Sequence, residues 1–574
     1  MRAYIGPLDG NFPAIRQLLQ DLSTNPPPYI AVDTESVSLK DKLLIGIGIC
    51  TPDMHGFFFT MDDPSMPWQL LLNKQVKKIY HNAPYDLERE TLGLYGIDVE
   101  NIEDTAVLCR MINSPVVLSE ACKVTPYETR TVKSYLDEYK VKTMLDLPGE
   151  VVASKCIKDA RATMALYHYY KPLTQLENYK VELGVVSLLL KMSRRGIKLD
   201  EQLTEVMANE IHQEAQYYTD LCESLGFNPN SPFQVGYTLS QQGVFLPWKR
   251  GKKQPSTNKE ALENANHSYA ALALLSKKYT RLDGVLRKFK GEKRAYSHFH
   301  LDSSTRRITS SDFQLHNLPT GRRTGDIIPK AGPVRRIFLP DSGVFSIFDM
   351  SQIELRVLAY FSGDLEMQRI LNTPGGDIHG EAQKAMGIPS RVMAKNFVFG
   401  GFAYGGSLEV LTQFTGIKDK AFLQANLDKL NARFPVAARW IKQQRWQGLT
   451  DGYVTTLYGQ KLMLDSFDAS QKHIENCAVN WPVQASAAEV FKRVLLSLPI
   501  PQKDNVLQVH DEDILDGDWK IPLDDIASIT KFYTPAEQIA KCLSCNHSWG
   551  DIRTNPECPK CRGTNLKRTK ERWA

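Results

Sequence analysis

Apolar positions change character three times along this chain. Through residue 172, short β-rich runs alternate with helical stretches: Ile30-Ala31-Val32 and Leu43–Cys50 read as strands and Ala160–Tyr170 as a helix, an α/β layout. From 173 to about 290 the spacing is mainly helical, broken by Asn228-Pro229-Asn230-Ser231-Pro232 and by the Gly/Lys/Pro-rich stretch Trp248–Ser256. From 291 to 530 strands and helices mix again, and beyond 540 a short, basic, cysteine-bearing segment follows. There is no internal repeat and no long low-complexity tract. The pattern predicts a multidomain chain of α/β and α+β parts, divided at 1–172, 173–290, 291–365, 366–450, 451–530 and 540–568.

The 574 residues correspond to roughly three to five domains. Apolar content of 42% and charged content of 24% exclude wholesale disorder. The longest apolar runs, such as Leu43–Cys50 and Val185–Leu190, fall far short of the roughly 18 residues a membrane helix needs. The opening MRAYIGPLDG lacks a basic-then-apolar signal pattern. A soluble cytoplasmic protein is expected, with no membrane partner. The net charge of +5 decides nothing by itself, because an anionic polymer needs basic surface only along its track.

Candidate chemistry begins at Tyr29–Glu35, a strand whose period of two sets Asp33 and Glu35 on one face. Adjacent carboxylates repel unless a cation lies between them, and a divalent metal is the usual one. Ile79–Leu87 reads as strand, turn and helix start, supplying Asp86, and Asp159 opens a further helical run. Such a set suits a pair of metals about 3.5–4 Å apart that activate water at phosphorus. In order and spacing, Asp33/Glu35, His81–Leu87 and the stretch around Asp159 resemble the three motifs of the DEDD-type 3′–5′ exonucleases. The resemblance implies Mg²⁺ or Mn²⁺, two ions, at Asp33, Glu35, Asp86 and Asp159. That family places a Tyr four residues, or a His five residues, before the last Asp; here those positions are Lys155 and Ser154.

A second constellation lies downstream. Val344–Asp349 reads as a buried strand presenting Asp349, followed by a helix over Gln352–Phe361. Val506–Leu515 reads as a hairpin with Asp511 and Glu512 at its polar tip. Carboxylates at a strand end and a hairpin tip could share two Mg²⁺ ions. Between them, Arg391, Lys395 and Phe399 form one stripe if helical, two cations for a triphosphate and a ring for a base or sugar. Taken alone, an Arg-x3-Lys is more simply an exposed amphipathic face.

DMSQIELR, RVMAKNFVFG…YG and QVHDE resemble motifs A, B and C of the family A DNA polymerases. The flanks MSRRGIKLD, Asn230–Leu239, TRRITSSDFQLHNLP, Val334–Phe338, Gly452–Gly459 and NWPVQ are also similar to that family. The resemblance implies an RNase H-like exonuclease (1–172), then a right-hand polymerase: thumb (173–290), palm (291–365 and 451–530) and fingers (366–450). It implies Asp349 and Asp511 as Mg²⁺ ligands with Glu512 nearby, and Glu354 as a steric gate against the ribose 2′ position. Arg391 and Lys395 would hold the triphosphate, Phe399 pack near the sugar and Tyr404 near the templating base. Asp377 and His379 would lie near the incoming nucleotide, and Arg307, Asn480, Gln484 and His510 at the minor groove or primer end. The expected activity is DNA-dependent DNA synthesis in replication, with 3′–5′ proofreading, on primer–template DNA and dNTPs. A monomer, replisome accessory proteins and a phage origin, hence a host cytoplasm, are further expectations. A nuclease with a vestigial polymerase region and a non-catalytic DNA-binding scaffold are the rivals, and the full set of motif residues argues against both.

Three departures stand out. Phe399 and Tyr404 are five apart where the family has four, through an extra Gly. After QVHDE the chain reaches its cysteines quickly, where the family continues through a palm-completing helix and strand; and no 5′-nuclease region is expected ahead of the exonuclease-like part. Lys277–Arg294 carries eight basic and two acidic residues, which in this context reads as phosphate-contacting loops, with Lys277, Lys278 and Lys288 on the DNA. Finally, Cys542, Cys545, Cys558 and Cys561 form C-x2-C-x12-C-x2-C, the spacing of a closed structural Zn²⁺ ribbon over 540–568. The ribbon could contact DNA, dock a partner or serve as a folding staple.

Overall fold

The computed structural model describes residues 3–5, 20–520 and 566–568, apart from 21, 23, 39, 64–65, 67, 250–252, 319–326, 329–331, 374 and 465–469. Cys542, Cys545, Cys558 and Cys561, and with them the expected zinc site, lie outside the described residues.

The N-terminal part is a mixed six-stranded sheet of β1 (Ala3–Ile5), β2 (Tyr29–Ser36), β3 (Leu44–Cys50), β4 (Gly56–Thr60), β5 (Lys77–Tyr80) and β6 (Ile102–Asp104). Their order is β1-β4-β3-β2-β5-β6, with β3 antiparallel to both neighbours and β5 and β6 parallel to β2. Short helices α1 (Ala83–Leu87) and α2 (Thr105–Met111) follow β5 and β6. Both sheet faces are covered. Ile30, Val32, Ile47 and Phe57 join the main core, while Ala31, Cys50 and Ile79 meet Ala160, Met164 and Tyr167 of helix α3 (Gly149–Tyr170).

Asp159 does not open this helix. The helix begins ten residues earlier, because Val152, Ala153, Cys156 and Ile157 extend its apolar stripe onto Phe58. A Cβ on Gly48 would stand 2.8 Å from the Cys156 sulfur, so glycine in β3 is what lets α3 lie this close to the sheet.

Helix α4 (Glu177–Arg195) ties this part to the rest. The Tyr179 hydroxyl donates to Glu103 Oε2 at 2.5 Å and accepts from the Asp104 amide at 3.1 Å, while Glu182 pairs with buried Lys492 at 2.7 Å. One hydrophobic core runs from Ile30 through Leu190 and Phe348 to Leu515, so the N-terminal part is packed onto the remainder, not hung from a linker. Helices α5 (Glu201–Ser224) and α6 (Ser268–Leu286) pack along each other, with a small core of their own around Cys222, Phe227 and Leu239.

Strands β7 (His298–His300) and β8 (Thr309–Ser311) form a small antiparallel pair. A four-stranded antiparallel sheet follows, of β9 (Phe345–Met350), β10 (Asn505–Val509), β11 (Glu512–Asp516) and β12 (Leu566–Arg568), in the order β10-β11-β9-β12. Residues 566–568, at the end of the segment expected as a ribbon, pair with β9 in this sheet. They cover the edge of β9 that would otherwise offer unpaired backbone groups, supplying the strand expected to be missing after the hairpin. Among the helices here are α7 (Ile353–Ser362), α8 (Ile378–Met386), α9 (Arg391–Asn396), α10 (Pro435–Asp451) and α11 (Gln471–Ser497). Helix α11 backs the sheet, with Phe491 stacked on Phe348 at 6.2 Å. No described helix is long and apolar enough to cross a membrane.

Candidate active site

Strand pairing brings the palm carboxylates together. Asp349 ends β9 opposite Glu512 of β11, and the Met350 amide donates to the Asp511 carbonyl at 3.0 Å. At the hairpin tip His510 adopts a left-handed φ of 58°, which turns the chain so that Asp511 emerges half-buried beside Asp349. Burial and the Asp349 charge push Asp511 up to about 6. Two oxygen-donor side chains this close, one charge raising the other group, fit a hard divalent cation. Glu512 is buried and lies 3.7 Å from Arg335, so it faces a cation of the chain itself.

A continuous set of contacts leads from this pair into the helices. Arg307 donates to Glu354 Oε1, and the Tyr404 hydroxyl donates to Glu354 Oε2. The Tyr404 ring lies 5.7 Å from Phe399, which lies 5.3 Å from His379, and Lys395 Nζ sits 5.8 Å from the Phe399 ring centre. Arg391 grips Asp377 with two bonds of 2.5 and 2.8 Å, while Asp377 also caps α8 through the His379 and Gly380 amides. Burial, then the Asp511 charge, pushes Glu354 up to about 7. His379 falls to about 4, chiefly through burial, with Lys395 and Arg391 adding to the effect.

The extra residue between Phe399 and Tyr404 is absorbed locally. After Asn396 the α-helix passes into a π-helix over Phe397–Ala403, which takes up one added residue in a single wider turn. Tyr404 therefore reaches Glu354 despite the altered spacing, and Phe402 and Ala403 are buried behind it.

Residues expected on DNA divide into two groups. Asn480 and Gln484 sit half-buried one turn apart on α11, and Asn480 Oδ1 is buried without a partner among the described residues. His510 is exposed, its ring 6.0 Å from His316. Lys278 on α6 is exposed, and exposed Lys288, just beyond that helix, donates to the Asp312 carbonyl at 2.8 Å. Lys277 is used internally: its Nζ donates to the Thr257 carbonyl at 3.0 Å and to the Thr257 hydroxyl. Phe289, within the same basic stretch, is wholly buried.

In the N-terminal part Asp33, Glu35, Asp86 and Asp159 do converge: Asp159, Glu35 and Asp86 each help to raise Asp33, and Asp159 helps to raise Glu35. Lys155 stands among them, its Nζ 2.5 Å from Glu35 Oε1 and 2.8 Å from Asp159 Oδ2. Burial works to lower this ammonium, but Glu35, Asp159 and Asp33 outweigh it and hold it well above an ordinary lysine. Asp33 is pushed well up, first by burial and then by the Asp159 charge. Four oxygen donors suit divalent ions, yet the gap between Glu35 and Asp159 is already filled by a cation of the chain. The residues fit one ion and not two.

Two contributors escape a reading by motif. Gln352 takes a left-handed φ of 55°, and its side chain accepts from the Ile378 amide at 3.1 Å and donates to the Gly376 carbonyl at 3.0 Å. It fixes the Asp377–His379 segment against β9, and nothing in its neighbours signals the reversed backbone. Arg335 was visible only as part of a basic pair before Ile337, and its contact with Glu512 depends on the fold.

Comparison with known proteins agrees with this geometry. DNA polymerase I of Chloroflexus aurantiacus is 28% identical over 552 residues, covering 85% of this chain and 57% of that protein. The thermostable DNA polymerase I of Thermus filiformis is 31% identical over 368 residues, covering 59% of this chain and 43% of that one. The chain thus spans about half the length of the curated relatives it matches. The fold is shared with the POL domain of Pol1 from M. smegmatis, solved in complex with DNA primer-template and dNTP, at a TM-score of 0.69 and 22% identity over 92% of this chain and 95% of that one. Residues 198–530, which hold the Asp349–Asp511 pair and the helices around it, match DNA polymerase family A, and the chain belongs to that family.

Proposed function

We propose that this chain is a DNA-directed DNA polymerase that adds deoxynucleotides to a primer 3′ end, acting in DNA replication on primer–template DNA. The observation that carries this reading is the juxtaposition of Asp349 and Asp511 at adjacent ends of the palm sheet, joined through Arg307, Glu354 and Tyr404 to the Arg391/Lys395 helix. Bound there, Mg²⁺ would lower the pKa of the primer hydroxyl and neutralise charge on the leaving pyrophosphate. Asp349 and Asp511 would hold it.

The remaining residues bind, orient and exclude. Arg391 offers a fork of donors that the triphosphate can share with or take from Asp377, and Lys395 one turn on would hold the same group and give a proton to the departing pyrophosphate oxygen. Phe399 gives the sugar a flat apolar wall. Glu354, held from two sides by Arg307 and Tyr404, cannot swing aside for a ribose 2′ hydroxyl. Asn480, Gln484 and His510 line the side on which a primer terminus would lie, and exposed Lys278 and Lys288 add charge along the duplex. A structural zinc ribbon remains the reading of the four C-terminal cysteines, on their spacing alone.

Primer extension with Mg²⁺ and dNTPs tests the reading. The chain should extend a primer, and Asp349→Ala and Asp511→Ala should each abolish extension while leaving primer–template binding in a gel shift. Absence of extension by the unaltered chain overturns it. For the N-terminal domain a second reading is 3′–5′ excision, favoured by its converging carboxylates and opposed by the lysine among them.

A further inference from the structure

We infer that the Lys155 ammonium takes the place of one of two divalent ions in the N-terminal carboxylate site, so that the site holds at most one ion and excises a primer 3′ end slowly or not at all. The inference rests on reading these carboxylates as an exonuclease-type site.

Lys155 and Asp159 are one turn apart on α3, and Glu35 faces them from β2. The lysine is 4% exposed, and its Nζ lies 2.5 Å from Glu35 and 2.8 Å from Asp159, bridging strand and helix as an ion would. A neutral side chain of similar length at this position would leave that gap open to solvent cations. Lys155 has no such freedom: its stem runs through the helix–sheet interface, beside Cys156 and Ile157, which pack on Phe58.

The other carboxylates are likewise engaged from within the chain. Asp159 Oδ1 accepts from the Thr129 hydroxyl. Asp86 Oδ1 accepts from the Thr34 amide at 3.0 Å and its hydroxyl at 2.6 Å. The Cys156 thiol lies 3.4 Å from Asp33 Oδ2. An ion entering between Glu35 and Asp159 would have to expel a buried ammonium from both partners and leave it unpaired, which is strongly unfavourable. Room remains on the other side, where ligand atoms of Asp33, Glu35 and Cys156 lie within 4.8 Å of one another, enough for one ion.

The test counts ions and does not depend on activity alone. The full chain carrying Asp349→Asn and Asp511→Asn, which removes the palm ligands, is titrated with Mn²⁺ and bound ions are counted by electron paramagnetic resonance. Lys155→Met and Lys155→Tyr in the same background should each bind one more Mn²⁺ per chain than the Lys155 parent. Lys155→Tyr should also shorten a labelled primer at least about tenfold faster than the parent. Lys155→Met carries the ion count if the bulkier tyrosine impairs folding, which thermal unfolding would show. Equal ion counts in parent and variants would overturn the inference. So would rapid shortening by the parent that Lys155→Met abolishes, which would make Lys155 a positioning residue for excision. Primer extension by the chain with both palm aspartates intact is read separately, so failure of the polymerase reading would leave this result standing.

Discussion

The Tyr404 hydroxyl donates to the Glu354 carboxylate across a helix that carries one residue too many for that contact. The π-turn of Phe397–Ala403 absorbs the surplus, so the bond depends on a backbone irregularity as much as on the two side chains.

Deleting Gly400 removes the surplus residue, so this helix should run as a regular α-helix with Tyr404 still facing Glu354, whereas inserting one alanine after Gly400 should rotate Tyr404 by about 100° away from it. The fold should survive the deletion, because the wider turn is lost and not a packed side chain. The insertion should lower single-nucleotide incorporation by roughly tenfold or more, corresponding to about 1.4 kcal/mol or above, and the deletion should not. Tyr404→Phe should lose less than the insertion, since Arg307 still holds Glu354. Rapid-quench measurement of kcat/KM for dNTP, with the rNTP/dNTP ratio, checks all three.

Metal and pH should act together at the palm. In the folded chain Glu354 is raised from 4.5 to about 7 and Asp511 from 3.8 to about 6, so the native state keeps protons the unfolded chain has released. Stability without metal therefore falls as pH rises from about 4 to 7. On the proposed reading Mg²⁺ would bind the ionised Asp511 and offset part of this loss. The shift in thermal midpoint on adding Mg²⁺ should be larger at pH 8 than at pH 5.5, and Asp511→Asn should remove the difference.

Asp513, two residues beyond Asp511 on β11, offers a second case. It lies on β11 opposite Phe348, wholly buried, with neither carboxylate oxygen meeting a side-chain partner among the described residues. Burial pushes it up to about 8. The native chain holds its proton through a range where the unfolded chain, near 3.8, does not, so stability declines as pH rises through that window. Asn cannot titrate. Asp513→Asn should match the parent near pH 4 and exceed it by about 1–3 kcal/mol at pH 9 in urea denaturation.

Tyr179 joins α4 to the N-terminal sheet through Glu103 and the Asp104 amide. Tyr179→Phe leaves a buried amide without its acceptor and Glu103 with only Lys77, at 2.7 Å. The expected loss is about 1–3 kcal/mol of unfolding free energy, read from the denaturant midpoint. Primer extension per folded molecule should be unchanged, because neither partner touches the palm.

Much of this protein was legible before any coordinates. Asp349, Asp511, Arg391 and Lys395 announce themselves because each sits at the end or on the face of a strongly periodic element, and β2, β9 and the β10–β11 hairpin appear within a residue or two of where alternation places them. Asp33 and Glu35 share a face for the same reason. Periodicity reports only on local backbone geometry, however, and the start of α3 was misjudged because its first turns carry a mixture of small, polar and apolar residues.

What the sequence by itself determined is the inventory: which elements form, which carboxylates and cations they present, and the family to which residues 198–530 belong. These follow from near-neighbour chemistry and from side-chain period, both of which are linear in the chain. Only the tertiary structure decided how an extra glycine is accommodated before Tyr404, that residues 566–568 close the edge of β9, and that Lys155 points into the gap between Glu35 and Asp159 instead of toward solvent. Each of these is a contact between residues far apart in sequence, or a backbone angle imposed by packing. Such relations arise from burial and charge summed over the whole fold, and no local pattern carries them.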